Sequence, residues 1–172
     1  MEDKIKVLIN EYEIKKRIDE LAITISNDYK NKDIVLICIL KGACYFTVDL
    51  SKKIKNNIIL DFIKVSSYGN SKETSGKIKF KLDISENING KDVIVVEDII
   101  DTGITLNYLY NYLQTKSPKT LKICTLLDKK ERRKENINAD YVGFEIEDKF
   151  VVGYGLDYAE KYRNLPYIGY IE

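Results

Sequence analysis

The segment VVEDIIDTGIT, residues 95–105, constrains the fold of this chain more than any other part of the sequence. An apolar run, residues 93–96, leads into two adjacent carboxylates, Glu97 and Asp98, where we expect a strand to end. A third carboxylate, Asp101, then opens a glycine-containing turn, and leucines recur at helical spacing after it. This order of patterns is typical of a buried strand, a loop and a helix. The segment therefore predicts one unit of an α/β sheet.

The turn after this strand has the composition of a ligand site. In α/β sheets, ligands bind beyond the carboxyl ends of the strands, and phosphate groups bind the free N–H groups that open the next helix. Residues 101–105 supply such N–H groups, two threonine hydroxyls and a glycine that lets a ligand approach. Three nearby carboxylates would repel bare phosphate, so the ligand must also bring hydroxyl groups, a divalent cation or a proton. We therefore expect a phosphorylated ribose with magnesium.

Simpler interpretations of the same residues remain open. Glu97 and Asp98 can be solvated acids at a strand end, and Asp101 or Thr102 can be an ordinary helix N-cap. The turn matches neither GxxxxGK[ST] nor GxGxxG, so neither nucleoside-triphosphatase nor dinucleotide-binding behaviour is predicted.

Composition excludes several classes of site. The chain has no histidine, which rules out a Ser-His-Asp triad and any zinc site with a histidine ligand. A metal would be held by oxygen atoms, which favours Mg²⁺. The net charge of +1 and the absence of a long apolar run predict that neither nucleic acid nor a membrane is a partner. Three cysteines next to apolar segments are typical of free thiols in the cytoplasm.

Strand and helix patterns alternate along the chain. They predict an α/β fold, a mainly parallel sheet flanked by helices, in one domain of residues 1–172. The predicted helices lie at residues 11–30, 43–54 and 106–113, and the predicted strands at 5–8, 33–40, 58–65, 78–82, 92–96, 121–127, 141–146, 150–152 and 167–171. The polar residues 66–76 between two strands predict a long hairpin with a flexible tip.

Two further segments have competing interpretations. The basic run KKERRK, residues 129–134, is interrupted by acids and lacks aromatic residues, so we interpret it as a solvated connector rather than a nucleic-acid site. Tyrosines 108, 110 and 112 on the third helix are typical of a core and a subunit interface rather than a base-stacking surface.

The segment VVEDIIDTGIT resembles the signature of the type I phosphoribosyltransferases, and its EDIIDTG core is similar to the hypoxanthine(-guanine) branch of that family. The resemblance extends in the family's order to LKGA at 40–43, SSYGNSKETSG at 66–76, LLDKK around Lys129 and DYVGFEIEDKFVVGYGLDY at 140–158. It implies the type I fold with a small additional subdomain, the hood, and a flexible hairpin loop.

The resemblance also implies a reaction. A purine base, hypoxanthine and also guanine, attacks C1′ of phosphoribosyl pyrophosphate, pyrophosphate leaves, and IMP or GMP forms with the help of Mg²⁺. Members of the family are homodimers or homotetramers, and the same is expected here. Asp101 is expected to face purine N7 as general base.

Other roles are carried over by position. The residues expected at the 5′-phosphate are Asp101, Thr102, Gly103, Ile104 and Thr105, and those at the ribose hydroxyls are Glu97 and Asp98. The residues expected at pyrophosphate are Lys41, Gly42 and Arg163, with a cis peptide between Leu40 and Lys41. The residues expected at the purine are Lys129, Lys149, Phe150, Val151 and Asp157. The expected metal-binding residues are Glu97, Asp98 and Asp157, and Ser67 and Tyr68 belong to the expected flexible loop.

Two rival functions remain at this point. One is a transferase on the same fold that prefers xanthine or guanine, since the base preference depends on how the purine C2 position is recognised. The other is a non-catalytic regulator that senses nucleotides and binds RNA. Such a regulator would need a strongly basic face, and the net charge of +1 argues against it.

Overall fold

The structure, a computed structural model, describes residues 4–67 and 78–171. Its helices are α1 (Glu11–Asp28), α2 (Cys44–Ser51) and α3 (Ile104–Gln114), with a 3-10 turn at Lys130–Arg132. Its strands are β1 (Ile5–Ile9), β2 (Ile34–Ile39), β3 (Ile58–Ser67), β4 (Ile78–Leu82), β5 (Asp92–Ile100), β6 (Thr120–Asp128), β7 (Tyr141–Glu145), β8 (Val151–Val152) and β9 (Ile168–Ile171).

The main sheet has six strands in the order β4-β3-β2-β5-β6-β7. All neighbours are parallel except β4, which returns antiparallel to β3. The expected α/β class with a mainly parallel sheet is therefore confirmed. The expected hairpin is present in its two strands, with Ser67 as the last residue of β3. Its tip, including Tyr68, lies outside the described residues.

Alternate residues of the central strands face two separate hydrophobic cores, because successive side chains of a strand point to opposite faces. On β2, Leu36 and Cys38 face the core that α1 and α2 cover, whereas Val35 and Ile37 face the core that α3 covers. Both faces of the sheet are thus buried, which explains why its strands are apolar throughout rather than alternating.

The first helix begins where its sequence predicts. The side chain of Asn10 accepts a hydrogen bond from the Glu13 N–H at 3.0 Å, and the Glu13 carboxylate accepts one from the Asn10 N–H at 2.8 Å. This reciprocal capping box satisfies two N–H groups that a helix start otherwise leaves free. The helix ends at Asp28, slightly before the predicted residue 30.

The predicted end of β5 is wrong. The strand does not stop at Glu97 and Asp98 but continues to Ile100, because its pairing with β6 extends to Ile100 and Asp128. On its other side, the pairing of β5 with β2 ends at Val96. The last four residues of β5 therefore extend past β2, and we call residues 97–100 the β5 overhang.

The hood is a separate antiparallel sheet of three strands in the order β1-β9-β8. The first and last strands of the described chain pair here, with Ile5 opposite Ile171. The connection between β8 and β9, residues 153–167, crosses from the hood to the carboxyl edge of the main sheet, where it contacts the loop after β2. This connection brings the last predicted site residues to the β5 overhang.

Candidate active site

The loop between β5 and α3 ends in a glycine that the backbone requires. Gly103 has φ 80°, and α3 begins after it at Ile104 without a side-chain cap. A Cβ at this position would also lie 2.8 Å from Ile137 Cγ2, closer than such atoms pack. The interpretation of Asp101 or Thr102 as an ordinary N-cap is therefore wrong. The Ile104 N–H makes a long hydrogen bond of 3.5 Å to Thr102 Oγ1, which a phosphate oxygen bound at this helix start can replace.

Asp101 presents an acceptor atom without a hydrogen bond. Arg132 Nε lies 2.8 Å from Asp101 Oδ1, an ion pair without hydrogen-bond geometry. Among the described residues, this buried oxygen has no hydrogen-bond partner. The Asp101 side chain is 41% exposed, so the carboxylate can also accept a hydrogen bond from a ligand.

Glu97 and Asp98 are half-buried and interact with each other, so neither is the freely solvated acid of the simpler interpretation. Burial, and then the negative charge of Asp98, hold the pKa of Glu97 well above its ordinary value. Burial also raises the pKa of Asp98, although hydrogen bonds and the charge of Arg163 oppose the rise. A bound cation, or hydrogen bonds donated by hydroxyl groups, would reduce the repulsion between the Glu97 and Asp98 carboxylates.

The loop after β2 packs directly against Asp98. The Leu40–Lys41 peptide bond is cis, as expected. An ideal Cβ on Gly42 would lie 1.5 Å from Asp98 Oδ2, so no larger residue fits there without moving the carboxylate. Gly155, at φ 103°, closes on the other side, since its Cβ would lie 2.0 Å from the Gly42 carbonyl oxygen. The loop after β2, the β5 overhang and the connection between β8 and β9 are therefore in close contact at Gly42.

Cationic groups surround this contact. Arg163 donates from Nη1 to the Gly155 carbonyl at 2.7 Å, and its Nη2 lies 2.8 Å from Asp157 Oδ1. Its Nε is buried and has no hydrogen-bond partner among the described residues. Lys41 Nζ lies 2.7 Å from Glu160 Oε2, and Glu160 also approaches Arg163 at 3.4 Å. The structure therefore brings the expected pyrophosphate residues together, with a carboxylate between their charges.

The family follows from sequence and structure comparisons. A model of the phosphoribosyl transferase domain matches residues 8–159. The chain belongs to the phosphoribosyltransferase family. The hypoxanthine-guanine phosphoribosyltransferase of Bacillus subtilis is 50% identical over 167 residues, which cover 97% of this chain and 93% of the relative. The hypoxanthine phosphoribosyltransferase of Escherichia coli K12 is 47% identical over 171 residues, covering 98% and 96%.

A solved structure shows the same fold. The crystal structure of a Bacillus anthracis hypoxanthine-guanine phosphoribosyltransferase superposes with a TM-score of 0.94 at 53% identity, covering 99% of this chain and 100% of that one. The type I fold and the hypoxanthine(-guanine) branch, which the resemblance implied, are both confirmed.

Among the residues expected at the purine, Lys129 contacts the end of the overhang and Phe150 lies next to β8. Lys129 is buried, its N–H donates to the Ile100 carbonyl at 2.9 Å, and its Nζ lies 3.4 Å from Asp148 Oδ1. Phe150 is 55% exposed and meets the Tyr158 ring edge-on, with centroids 5.6 Å apart. The exposed ring of Phe150 is available to stack on a base.

Two predicted residues have other contacts in the structure. Val151 is buried in β8, which leaves its backbone to make any purine contact. Lys149 lies over the Tyr170 ring at 5.0 Å and pairs with Glu147 at 3.3 Å, so its purine role stays a prediction. Within residues 4–67 and 78–171, no group of three or more acidic or cysteine side chains is arranged to hold a metal alone.

The interpretation of residues 129–134 as a solvated connector is wrong in part. Arg132 contacts Asp101 and also pairs with Asp148 at 3.1 Å. Arg133 pairs with the buried Asp128 and donates to the Asp101 carbonyl at 3.2 Å. The sequence patterns did not single out these arginines, and the one available signal was their place in the short segment that follows Lys129.

Proposed function

We propose that this chain transfers the 5-phosphoribosyl group from phosphoribosyl pyrophosphate to hypoxanthine, and to guanine, giving IMP or GMP and pyrophosphate. One observation carries the proposal: a buried acceptor without a hydrogen bond, Asp101 Oδ1, and a buried donor without one, Arg163 Nε, both in the active site. The reaction needs an acceptor for a proton at the base and donors for negative charge at the leaving group. The names of the relatives from B. subtilis and E. coli support the same reaction.

The sugar phosphate fits the centre of this site. Residues 101–105 offer the 5′-phosphate the N–H groups of the loop and of the α3 N-terminus, together with two hydroxyls. Glu97 and Asp98 accept hydrogen bonds from the ribose 2′- and 3′-hydroxyls. The close contact of Gly42 with Asp98 then holds C1′ near the loop that receives pyrophosphate.

Lys41, Gly42 and Arg163 would bind the departing pyrophosphate. As the bond between C1′ and the pyrophosphate oxygen breaks, negative charge builds on that oxygen, and these cations stabilise it. Glu160 now neutralises both cations, at 2.7 Å from Lys41 and 3.4 Å from Arg163. Pyrophosphate must therefore displace the Glu160 carboxylate when it binds.

The purine would lie on the other side of C1′. Phe150 stacks on the ring, the Val151 backbone contacts its edge, and Lys129 donates a hydrogen bond to O6. As N9 bonds to C1′, the proton on N7 passes to Asp101. Arg132 keeps the Asp101 carboxylate in the site until the base arrives.

The carboxylates fit Mg²⁺, which proteins often hold through one or two carboxylates together with substrate phosphates. The raised pKa values of Glu97 and Asp98 show a pair short of positive charge, and Asp157 lies beside Arg163 on the same edge. When bound, Mg²⁺ would neutralise charge on the pyrophosphate and on these carboxylates. The absence of a preformed three-acid cluster in the described part of the chain agrees with a cation that arrives with its substrate.

We also propose a cytoplasmic location and a homodimer or homotetramer. Cys38 and Cys124 are buried free thiols, as expected in a reducing compartment. Tyr108 on α3 is 39% exposed and Leu82 on β4 is 45% exposed, so both can contribute to a subunit contact. No helix in the described ranges is long and apolar enough to cross a bilayer.

Steady-state kinetics with hypoxanthine, guanine, xanthine and adenine test the proposal, each with phosphoribosyl pyrophosphate and Mg²⁺. We expect turnover with hypoxanthine and guanine and its loss when EDTA removes the metal. Preferred use of xanthine would establish the first rival. No turnover with any base, together with RNA binding, would establish the regulator, and EDTA-insensitive turnover would remove the metal from the mechanism.

A further inference from the structure

Arg133 bridges two functional segments of the site. Its Nη2 pairs with Asp128 at the end of β6, and its Nη1 donates to the Asp101 carbonyl at 3.2 Å. The side chains of Arg133 and Asp128 are only 13% and 3% exposed. A buried ion pair is costly to desolvate unless its remaining donors are also satisfied, and the Asp101 carbonyl supplies that second acceptor.

The fold explains why Arg133 reaches both groups. Asp128 pairs with Ile100, and the next N–H, that of Lys129, donates to the Ile100 carbonyl at 2.9 Å. The 3-10 turn at Lys130–Arg132 then reverses the chain, so Arg133 returns beneath the loop that begins at Asp101.

The residues after Arg133 hold the same loop. The N–H groups of Lys134 and Glu135 approach the Thr102 carbonyl at 2.9 and 3.3 Å. The Arg133 side chain also fills the space beside Gly103, where a Cβ would lie 3.2 Å from its Cδ. Residues 133–135 thus hold one side of the loop between β5 and α3. The other side of the loop is left for a ligand.

We propose that Arg133 is a positioning residue that sets the placement of Asp101 relative to Lys129. This inference rests on the proposed function, in which Asp101 accepts the N7 proton and Lys129 donates to O6. N7 and O6 lie on one edge of the purine, so acceptor and donor must keep a fixed separation. Arg133 holds the main chain of Asp101 and the residue preceding Lys129 with one rigid group.

Only arginine fits this role. A guanidinium presents several N–H groups in a fixed planar fork, whereas a lysine ammonium is a single charge on a flexible stem. Lysine at position 133 can pair with Asp128, but it cannot hold both Asp128 and the Asp101 carbonyl in the same geometry. Arg133→Lys therefore separates the buried ion pair from the positioning of Asp101.

The test compares the wild type, Arg133→Lys and the matched control Arg17→Lys. Arg17 is also a forked arginine, since its Nε and Nη2 donate to the carbonyls of Gly143 and Val142, each at 2.8 Å, away from the site. We measure Tm, kcat and both KM values. Arg133→Lys should melt near the wild type but lose about 10- to 100-fold in kcat, because small misplacements at a reacting centre carry such costs.

Arg17→Lys should change Tm slightly and leave kcat unchanged. The loss in Arg133→Lys should largely disappear in an Asp101→Asn background, since Arg133 acts through Asp101. Wild-type kcat in Arg133→Lys, or losses that simply add to those of Asp101→Asn, would overturn the inference while leaving the proposed function intact. If Arg133→Lys does not fold, Asp128→Asn and Arg133→Met are compared instead. Asp128→Asn keeps the arginine and its bond to Asp101, so it should retain a higher kcat than Arg133→Met. Equal losses of kcat would reject Arg133 as a positioning residue. A wild type without turnover would reject the proposed function itself.

Discussion

Replacing Gly42 with alanine should separate catalysis from folding most clearly. The added Cβ would lie 1.5 Å from Asp98 Oδ2 and 2.5 Å from its Cγ, whereas real contacts begin near 3.0 Å. The Asp98 carboxylate must therefore move by about 1.5 Å, because its Oδ2 has to go from 1.5 Å to about 3.0 Å from the new Cβ. It cannot move freely, because its Oδ1 accepts a hydrogen bond from the Ile99 N–H at 2.7 Å. A displacement near 1 Å at a reacting centre costs about 10²-fold in rate, so kcat/KM should fall at least that much.

Stability should change less than activity in Gly42→Ala. Overpacking of this size typically costs about 1–3 kcal/mol. In a chain of this length each kcal/mol lowers Tm by roughly 2–4 °C. The assay is IMP formation under saturating and limiting phosphoribosyl pyrophosphate, followed beside a thermal melt.

Gly90→Ala is the matched control for Gly42→Ala. Gly90 has φ 69° but no atom within 4 Å of its ideal Cβ, so its replacement strains the backbone without touching the site. It should lower Tm and leave kcat/KM unchanged. If Gly42→Ala keeps the kcat/KM of the wild type, the reasoning is refuted, because catalysis then does not depend on the position of the Asp98 carboxylate.

Three further changes have defined outcomes. Asp101→Asn should lower kcat by roughly 10²–10⁴, the usual range for a general base, and near-normal turnover would remove Asp101 from that role. Glu160→Gln should tighten pyrophosphate binding by calorimetry, because Lys41 then loses its competing carboxylate and Arg163 keeps only Asp157, and an unchanged Kd would contradict this. Burial raises the pKa of Glu97, so the folded chain binds that proton more tightly than the unfolded chain and loses stability as pH rises. In EDTA, Glu97→Gln should therefore have a higher Tm than the wild type at pH 8 but not near pH 4. An equal difference in Tm at the two pH values would refute the raised pKa of Glu97.

Local patterns predicted most elements of the fold. The apolar run before Glu97 and the helical spacing after Gly103 depend on residues close in sequence, which periodicity detects. The end of β5 could not be predicted in this way. Whether Glu97 and Asp98 continue a strand depends on how far β6 extends beside them, and that partner lies 28 residues further along the chain, as the pairing of Ile100 with Asp128 shows.

Some residues of the candidate site could likewise be predicted from the sequence, and others could not. Asp101 and Gly103 could be singled out from their own segment, and Lys41, Lys129 and Arg163 through the family resemblance. Glu160 could not be found, because it lies 119 residues from Lys41 and no local spacing links them. Its backbone has φ 64° beside Ala159 at φ 50°, conformations that sequence patterns do not predict for such residues.

The β5 overhang has a consequence for how the proposed site is arranged. Because β2 stops at the level of Val96 while β6 continues to that of Ile100, the edge of the sheet has a step with two sides. Lys41 and Arg163 occupy the side where β2 is missing, and Lys129 occupies the side where β6 remains. A sugar bound over Glu97 and Asp98, as proposed, would therefore have Lys41 and Arg163 on one side and Lys129 on the other. The unequal lengths of β2 and β6 would thus keep the groups for the leaving group apart from the groups for the base.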